Sequence, residues 1–422
     1  MKRQEKPVPP ICIPSMRGNG ISGFDMSMQD TPNAVRLHIG IFGKRNSGKS
    51  TLLNAITKQK VSTVSPVAGT TTDPVSKAME LHGIGPVVFY DTAGFDDEGE
   101  LGRLRVEKTE EVLQKTDIAI LVFRELDISW EMKWYAKLKE KQIPVLCIWN
   151  AATADRDHAM DTIQKLERKT GGEILVVNAA EDMAAEPVRQ ALIRLLPSEF
   201  TEETIIGHLV TANDLVLLVM PQDIQAPKGR LILPQVQTIR DLLDHKCIVQ
   251  SCTSDTLEAA LSALAKPPKL IITDSQVFPL VYEKKPEESL LTSFSVLFAN
   301  YKGDIQYFIQ SAKAIDQLHA DSKVLIAEAC THAPLAEDIG RVKIPAMLKK
   351  KYGDSLQVDI VSGTDFPKNL QEFDLIIHCG ACMFNKKYVL SRVEQAKQEG
   401  IPMTNYGIAI AYMKGILEHI IY

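Results

Sequence analysis

The sequence predicts an α/β chain of three domains, in which a P-loop domain is followed by two smaller alternating α/β units with mainly parallel sheets. Three observations predict it. Apolar, β-branched runs alternate with helical stretches from Val35 onward; the alternation restarts after LLPSEFTEE and again after the charged segment EKKPEESL; and the first run ends in GKRNSGKST. A length of 422 residues fits about three ordinary domains.

In order along the chain, residues 1–32 hold Pro7, Pro9, Pro10 and Pro14 among glycines and serines and read as a flexible tail. VRLHIGIFG opens a first domain, 33–200, as a buried strand running into a glycine. Further strands are expected at Val87–Tyr90, Ile118–Phe123, Val145–Trp149 and Ile174–Val177, with a helix at Leu101–Gln114. A second unit, 201–285, carries strands at Leu215–Met220, Lys246–Gln250 and Leu270–Thr273, and helices at Leu233–Leu243 and Thr256–Ala265. A third, 286–422, has strands at Val324–Ala327, Gln357–Val361, Leu375–Ile377 and Met403–Tyr406, and a last helix over Ile408–Ile420.

Composition excludes several classes. Lys and Arg total 48 against 53 Asp and Glu, so no basic footprint for nucleic acid is present. No run approaches the roughly 18 apolar residues of a membrane helix, and the N-terminus lacks the apolar core of a signal peptide. Seven cysteines are too sparse for a disulfide scaffold. They suit a reducing, cytoplasmic setting in which clustered cysteines mean metal or redox chemistry.

Gly43, Gly48, Lys49 and Ser50 match G-x-x-x-x-G-K-[ST] between a strand and the helix that Thr51 and TLLNAIT begin. The glycines let backbone N–H groups, Ser47 among them, turn inward around phosphate oxygens. Lys49 supplies a charge for the terminal phosphates, and the Ser50 hydroxyl is a ligand for Mg²⁺. A second strand ends in Asp91, Thr92, Ala93 and Gly94, where the carboxylate can hold the Mg²⁺ shell and the Gly94 N–H can reach a γ-phosphate. VAGTTTDPV, with Thr70, Thr71 and Thr72, lies between the two. In this order the motifs resemble the translation-factor-like GTPases, with a TrmE/Era-like G domain. That resemblance implies GTP as ligand, Thr71 as the switch threonine on Mg²⁺, and Asn46 as an asparagine that holds K⁺. Two departures matter. Phe95 follows DTAG where a water-orienting glutamine would stand, so hydrolysis should be slow without a further charge such as K⁺. The base-reading N-K-x-D motif reads Asn150-Ala151-Ala152-Thr153, which weakens guanine selectivity although Asp155 stands nearby.

Of the cysteines, Cys12 lies in the tail, and Cys147, Cys247 and Cys252 sit in or beside apolar strands as core thiols. Cys330 and His332 follow one strand, and His378, Cys379 and Cys382 follow another. Both groups lie past the carboxyl ends of parallel strands, where open α/β sheets collect ligands. Three thiols with histidine suit either structural zinc or an iron–sulfur cluster, and spacing alone leaves both open.

C-x-H at Cys330 and His332, then H-C-x-x-C at 378–382, resembles the cluster motif of the [FeFe]-hydrogenase maturation GTPases, the HydF family. DTAGFDDEGELGRLRVEKT, DIQAPKGRLILPQVQTIRDLLD and LTSFSVLFANYKGD extend the resemblance over nearly the whole ordered chain. It implies a P-loop GTPase domain, a dimerisation domain and a domain that binds a [4Fe-4S] cluster through Cys330, Cys379 and Cys382. His332, Glu337 and His378 are then candidates for a fourth ligand or near-site groups. It further implies a homodimer that receives a diiron subcluster precursor from radical-SAM maturases and delivers it to apo-[FeFe]-hydrogenase. The alternatives are a regulatory GTPase with structural zinc and an RNA-modification or ribosome-assembly GTPase.

Overall fold

The computed structural model describes residues 32–57, 75–94, 99–151, 156–181, 184–197, 204–221, 231–329 and 338–422. The first domain is a six-stranded sheet of β1 (Leu37–Gly43), β2 (Val75–Leu81), β3 (Gly85–Asp91), β4 (Ile118–Phe123), β5 (Val145–Asn150) and β6 (Leu175–Val177). Its order is β2-β3-β1-β4-β5-β6, parallel except for β2. Helices α1 (Lys49–Thr57), α2 (Gly99–Gln114), α3 (Ser129–Glu140), α4 (Arg156–Thr170) and α5 (Ala185–Arg194) alternate with the strands. All seven residues of β1 are buried. Ile39 and Ile41 enter the core on the side of α1 and α5, whereas Phe42 enters the opposite core with Trp134 and Leu138 of α3. A strand covered on both faces reads as a continuous apolar run, and LHIGIFG does. The antiparallel edge β2 is mostly exposed, and its polar VSKAMEL carried no such signal.

The second sheet contains β7 (Leu215–Val219), β8 (Ile248–Cys252), β9 (Leu270–Thr273) and β10 (Leu290–Ser293), ordered β10-β9-β7-β8 and all parallel. Its helices are α6 (Leu233–Asp244), α7 (Leu257–Ser262), α8 (Phe278–Lys284) and α9 (Phe294–Lys302). Residues 290–293, expected to belong to the third unit, therefore run in the middle sheet. The third sheet holds β11 (Lys323–Glu328), β12 (Gln357–Ser362), β13 (Leu375–His378) and β14 (Met403–Asn405), ordered β12-β11-β13-β14 and again parallel. Around it stand α10 (Ile305–Ala312), α11 (Ile344–Tyr352), α12 (Lys386–Glu399) and α13 (Tyr406–Met413). The last helix stops at Met413 instead of reaching Ile420, because Gly415 takes φ 69° and turns the backbone out of the helix.

The second and third units share one core. Leu217, Ile271, Phe278 and Leu291 from the former join Leu325, Ile376, Met403 and Ile408 from the latter. The chain's last residues return to the middle sheet, where Ile421 N–H donates to Leu291 O at 3.0 Å and its carbonyl accepts from Thr292 Oγ1 at 2.7 Å.

Candidate functional site

Strand order brings the two phosphate motifs together, since β1 and β3 are neighbours with Ile41 opposite Asp91. Ser50 Oγ donates to Asp91 Oδ2 at 2.5 Å. The Lys49 ammonium folds back onto the Gly43 and Lys44 carbonyls at 2.9 and 2.7 Å. Among the described residues, Ser47 Oγ and Asp91 Oδ1 are buried without a hydrogen-bond partner. Burial raises the Asp91 carboxyl above its ordinary range, against the Ser50 hydroxyl and Lys49, which lower it. A carboxylate so placed gains from a cation, and a loop with orphaned polar atoms gains from an anion carrying that cation. The donor set fits a Mg²⁺-bound phosphate.

Asn150 ends β5 and closes this site from the side. Its Nδ2 donates to Ser47 O at 2.8 Å, and its Oδ1 accepts from Ala179 N–H at 3.0 Å, so it joins the P-loop to the loop after β6. A Cβ at Gly48 would stand 2.1 Å from Asn150 Nδ2, and one at Gly43 would meet Ser47 Oγ and Val122 O at 2.7 Å. These glycines are fixed by close approach. Asn46 is exposed at φ 59°, with its carbonyl held by Arg124 at 3.1 Å. Thr51 is exposed and Gly94 is buried at the end of β3's loop. Thr70, Thr71, Phe95, Ala152, Thr153 and Asp155 lie outside the described residues.

Motif reading missed Lys44. This buried side chain donates to Asp127 O at 2.5 Å and lies 3.4 Å from Glu125 and 3.8 Å from Glu131, tying the P-loop to the β4–α3 connection. Burial pushes the Glu131 carboxyl up to about 7. Nothing in GKRNSGKST distinguishes Lys44 from an exposed loop lysine.

In the third unit β11 and β13 are adjacent and parallel, with Ala327 opposite His378. The two cysteine segments therefore leave neighbouring strands on the same edge of the sheet. Cys379 N–H donates to Ala327 O at 2.9 Å. Cys379 Sγ accepts N–H bonds from Ala329 at 3.0 Å and from Ala381 at 3.3 Å. Ala381 adopts φ 50°, curling Cys379–Cys382 into a tight turn. Burial pushes the Cys379 thiol up to about 11, against the two N–H groups.

The His378 ring, 1% exposed, has both nitrogens occupied: Nδ1 lies 2.8 Å from Cys379 O and Nε2 3.0 Å from an Arg392 guanidinium nitrogen. Arg392 can only donate, so the proton sits on Nδ1. Burial, reinforced by Arg392, lowers the imidazole to about 3 and keeps it neutral. Beneath the turn, Lys302 of α9 donates to Ala381 O at 3.1 Å and Phe384 O at 2.7 Å. Burial lowers this ammonium to about 8, while Cys382 and Cys379 pull it back up. Neither Lys302 nor Arg392 was legible as a site residue. Cys330, His332 and Glu337 lie outside the described residues, and among the described residues no group of three His, Cys, Asp or Glu is arranged to hold a metal.

The α12 N-cap joins the third unit to the first domain. Asn385 Nδ2 donates to Lys115 O at 2.8 Å and lies 3.2 Å from both oxygens of Asp117, while Asp117 Oδ2 accepts from His38 N–H of β1 at 2.8 Å. Burial raises the Asp117 carboxyl to about 7 against these bonds.

Comparison with known proteins agrees with this arrangement. Residues 38–151 match a 50S ribosome-binding GTPase domain, 205–303 a hydrogen maturase F dimerization domain, and 306–422 a hydrogen maturase F tetramerization domain. The chain is 43% identical over 117 residues to GTPase Der of Wolinella succinogenes, covering 27% of this chain and 23% of that protein. It is 36% identical over 165 residues to GTPase Der of Campylobacter lari, covering 35% and 34%. This chain thus spans about a third or less of the length of these curated relatives. An Era variant of Aquifex aeolicus bound to GDP.AlF4- aligns over 60% of this chain and 99% of that one at 18% identity, with a TM-score of 0.34. No helix among the described residues is long and apolar enough to cross a membrane. With both hydrogen maturase F domains following a GTPase domain in one chain, the protein belongs to the hydrogen maturase F family.

Proposed function

We propose that this chain is a cytoplasmic hydrogenase-maturation scaffold. It hydrolyses GTP, binds a [4Fe-4S] cluster, takes up a diiron subcluster precursor from radical-SAM maturases and delivers it to apo-[FeFe]-hydrogenase. The observation that carries the reading is the 3.0 Å bond from Ala329 N–H to Cys379 Sγ, which seats the residue before Cys330 against the Cys-Gly-Ala-Cys turn. The described part of the donor set fits a cluster: two thiols on one turn, N–H···S bonds that stabilise thiolate, and buried cations close by. Cys330, Cys379 and Cys382 would hold it. His332 and Glu337 remain for the fourth iron, because both His378 nitrogens are engaged and His378 acts as a brace. When bound, the cluster supplies an iron position that can exchange ligands.

In the nucleotide site, Lys49 would pair with the β- and γ-phosphates, and Ser50, Asp91 and the switch residue Thr71 would hold Mg²⁺, which would supply positive charge to the phosphates. Asn150 holds the base side. Asn46 contributes to a K⁺ site that compensates for Phe95, so hydrolysis is slow in Na⁺ and faster in K⁺. Activation of apo-hydrogenase in the presence of the partner maturases tests the proposal. Wild type should restore hydrogen evolution, Cys379→Ala should restore none while retaining GTP hydrolysis, and equal activation by both would overturn it.

A further inference from the structure

Two cations are buried beside the Cys379–Cys382 turn, and among the described residues no carboxylate balances them. Lys302 and Arg392 are each 2% exposed, and among the described residues neither forms an ion pair with Asp or Glu. Lys302 rests on two carbonyls of the turn and its following residues. Arg392 donates to His378 Nε2 and to Gly363 O at 2.5 Å, and its Nε is buried without a partner. The rings of Phe366, Phe384 and Tyr388 enclose its guanidinium at 4.7, 4.7 and 4.9 Å, so it cannot swing out to water. Desolvating a cation is costly unless an opposite charge faces it. Two such cations around one pair of thiols indicate a place shaped for negative charge. They also come from different units, since Lys302 ends the last helix of the middle unit and Arg392 lies in α12.

Resting on the cluster-scaffold reading above, we propose that Lys302 and Arg392 are the counter-charges of the cluster site, positioning residues that set how tightly an anionic iron–sulfur core is retained and at what potential it is reduced. Reduction adds negative charge to a thiolate-bound core, so a fixed buried cation favours the reduced form more than the oxidised one. Through Lys302 the dimerisation unit then contributes to the redox poise of a site whose ligands all lie beyond it.

The test uses the full-length chain, reconstituted anaerobically with iron and sulfide, in an EPR-monitored redox titration and an iron-release assay with a chelator. Lys302→Gln removes the charge but keeps N–H donors for Ala381 O and Phe384 O, and Lys302→Arg keeps the charge. The expected result is a more negative reduction potential and roughly tenfold faster iron release for Lys302→Gln, in line with the cost of losing a supporting group around a metal site, with the potential restored in Lys302→Arg. A Lys302→Gln protein with unchanged potential and release overturns the proposal. So does one whose Lys302→Arg counterpart shows the same shift, since packing would then be the cause. If Lys302→Gln does not fold, judged by circular dichroism and dimer mass, the same titration on Arg392→Gln, with Arg392→Lys as the charge-keeping control, decides by the same criteria. A wild-type chain that takes up no cluster would instead refute the cluster reading on which the proposal rests.

Discussion

Single side chains at both sites act by holding other groups in place. Asn150 joins the P-loop to the loop after β6 through two buried bonds, each contributing about 1 kcal/mol net. Asn150→Ala should therefore weaken GTP binding by roughly ten- to thirtyfold in calorimetry, and unchanged affinity would show that the asparagine is not part of the nucleotide frame. Lys49→Ala should abolish hydrolysis while leaving iron and sulfide content near that of wild type, because the Lys49 ammonium bonds the Gly43 and Lys44 carbonyls of the P-loop, in a different domain from the Cys379–Cys382 turn. Asp117 gives a pH signature. Its folded carboxyl titrates near 7, above the ordinary value of 3.8, so the folded state holds the proton more tightly than the unfolded chain. Its contribution to stability is complete below about 4 and is lost as pH rises through about 7. Thermal unfolding of Asp117→Asn compared with wild type should show a difference that shifts in the variant's favour from pH 5 to pH 8. A constant difference across that range would contradict the assignment.

Elements explain which parts of this arrangement were legible from residues alone. Strands covered on both faces, such as β1, β4 and β7, announced themselves as continuous apolar runs, and the motifs at their ends followed. The adjacency of β11 and β13 was not spelled out by either run, because parallel pairing is decided by tertiary packing and leaves no local trace. The polar edge β2 and the short β10, which EKKPEESL disguised as part of a linker, were not readable. Nor was Lys302, a helix-terminal lysine whose burial depends on a loop about 80 residues away. Asn385 shows how a local signal acquires a distant role. It is an ordinary N-cap, accepting from Tyr388 N–H at 3.3 Å, yet its amide also reaches Lys115 and Asp117 of the first domain. Asn385→Ala should cost about 1 kcal/mol for the cap and more for the Asp117 carboxyl left behind. Hydrogen exchange at residues 386–391 should quicken, and protection equal to wild type would remove the joint from the account.

On the scale of the whole molecule, the shared core of the second and third units makes them one cooperative body, whereas the first domain has cores of its own. Calorimetry should resolve a transition that GTP moves upward, from the first domain, and a second that GTP leaves nearly unmoved. The middle unit also exposes Val236 and Leu243 on one face of α6, with Ile248 on the edge strand β8. In a chain that carries a dimerization domain, exposed apolar side chains on one helix and its edge strand make this face a candidate subunit contact. Leu243→Glu should shift the solution mass toward a smaller species, and an unchanged mass would place the contact elsewhere. The most direct measurement of the central claim is iron, acid-labile sulfide and EPR analysis of the anaerobically reconstituted chain, with and without Cys330 and Cys379. The account predicts about four irons and four sulfides per chain, as a cubane requires, and loss of both, together with the EPR signal, in either cysteine variant. Zinc without sulfide in the wild type, or a cluster that survives both substitutions, would contradict it.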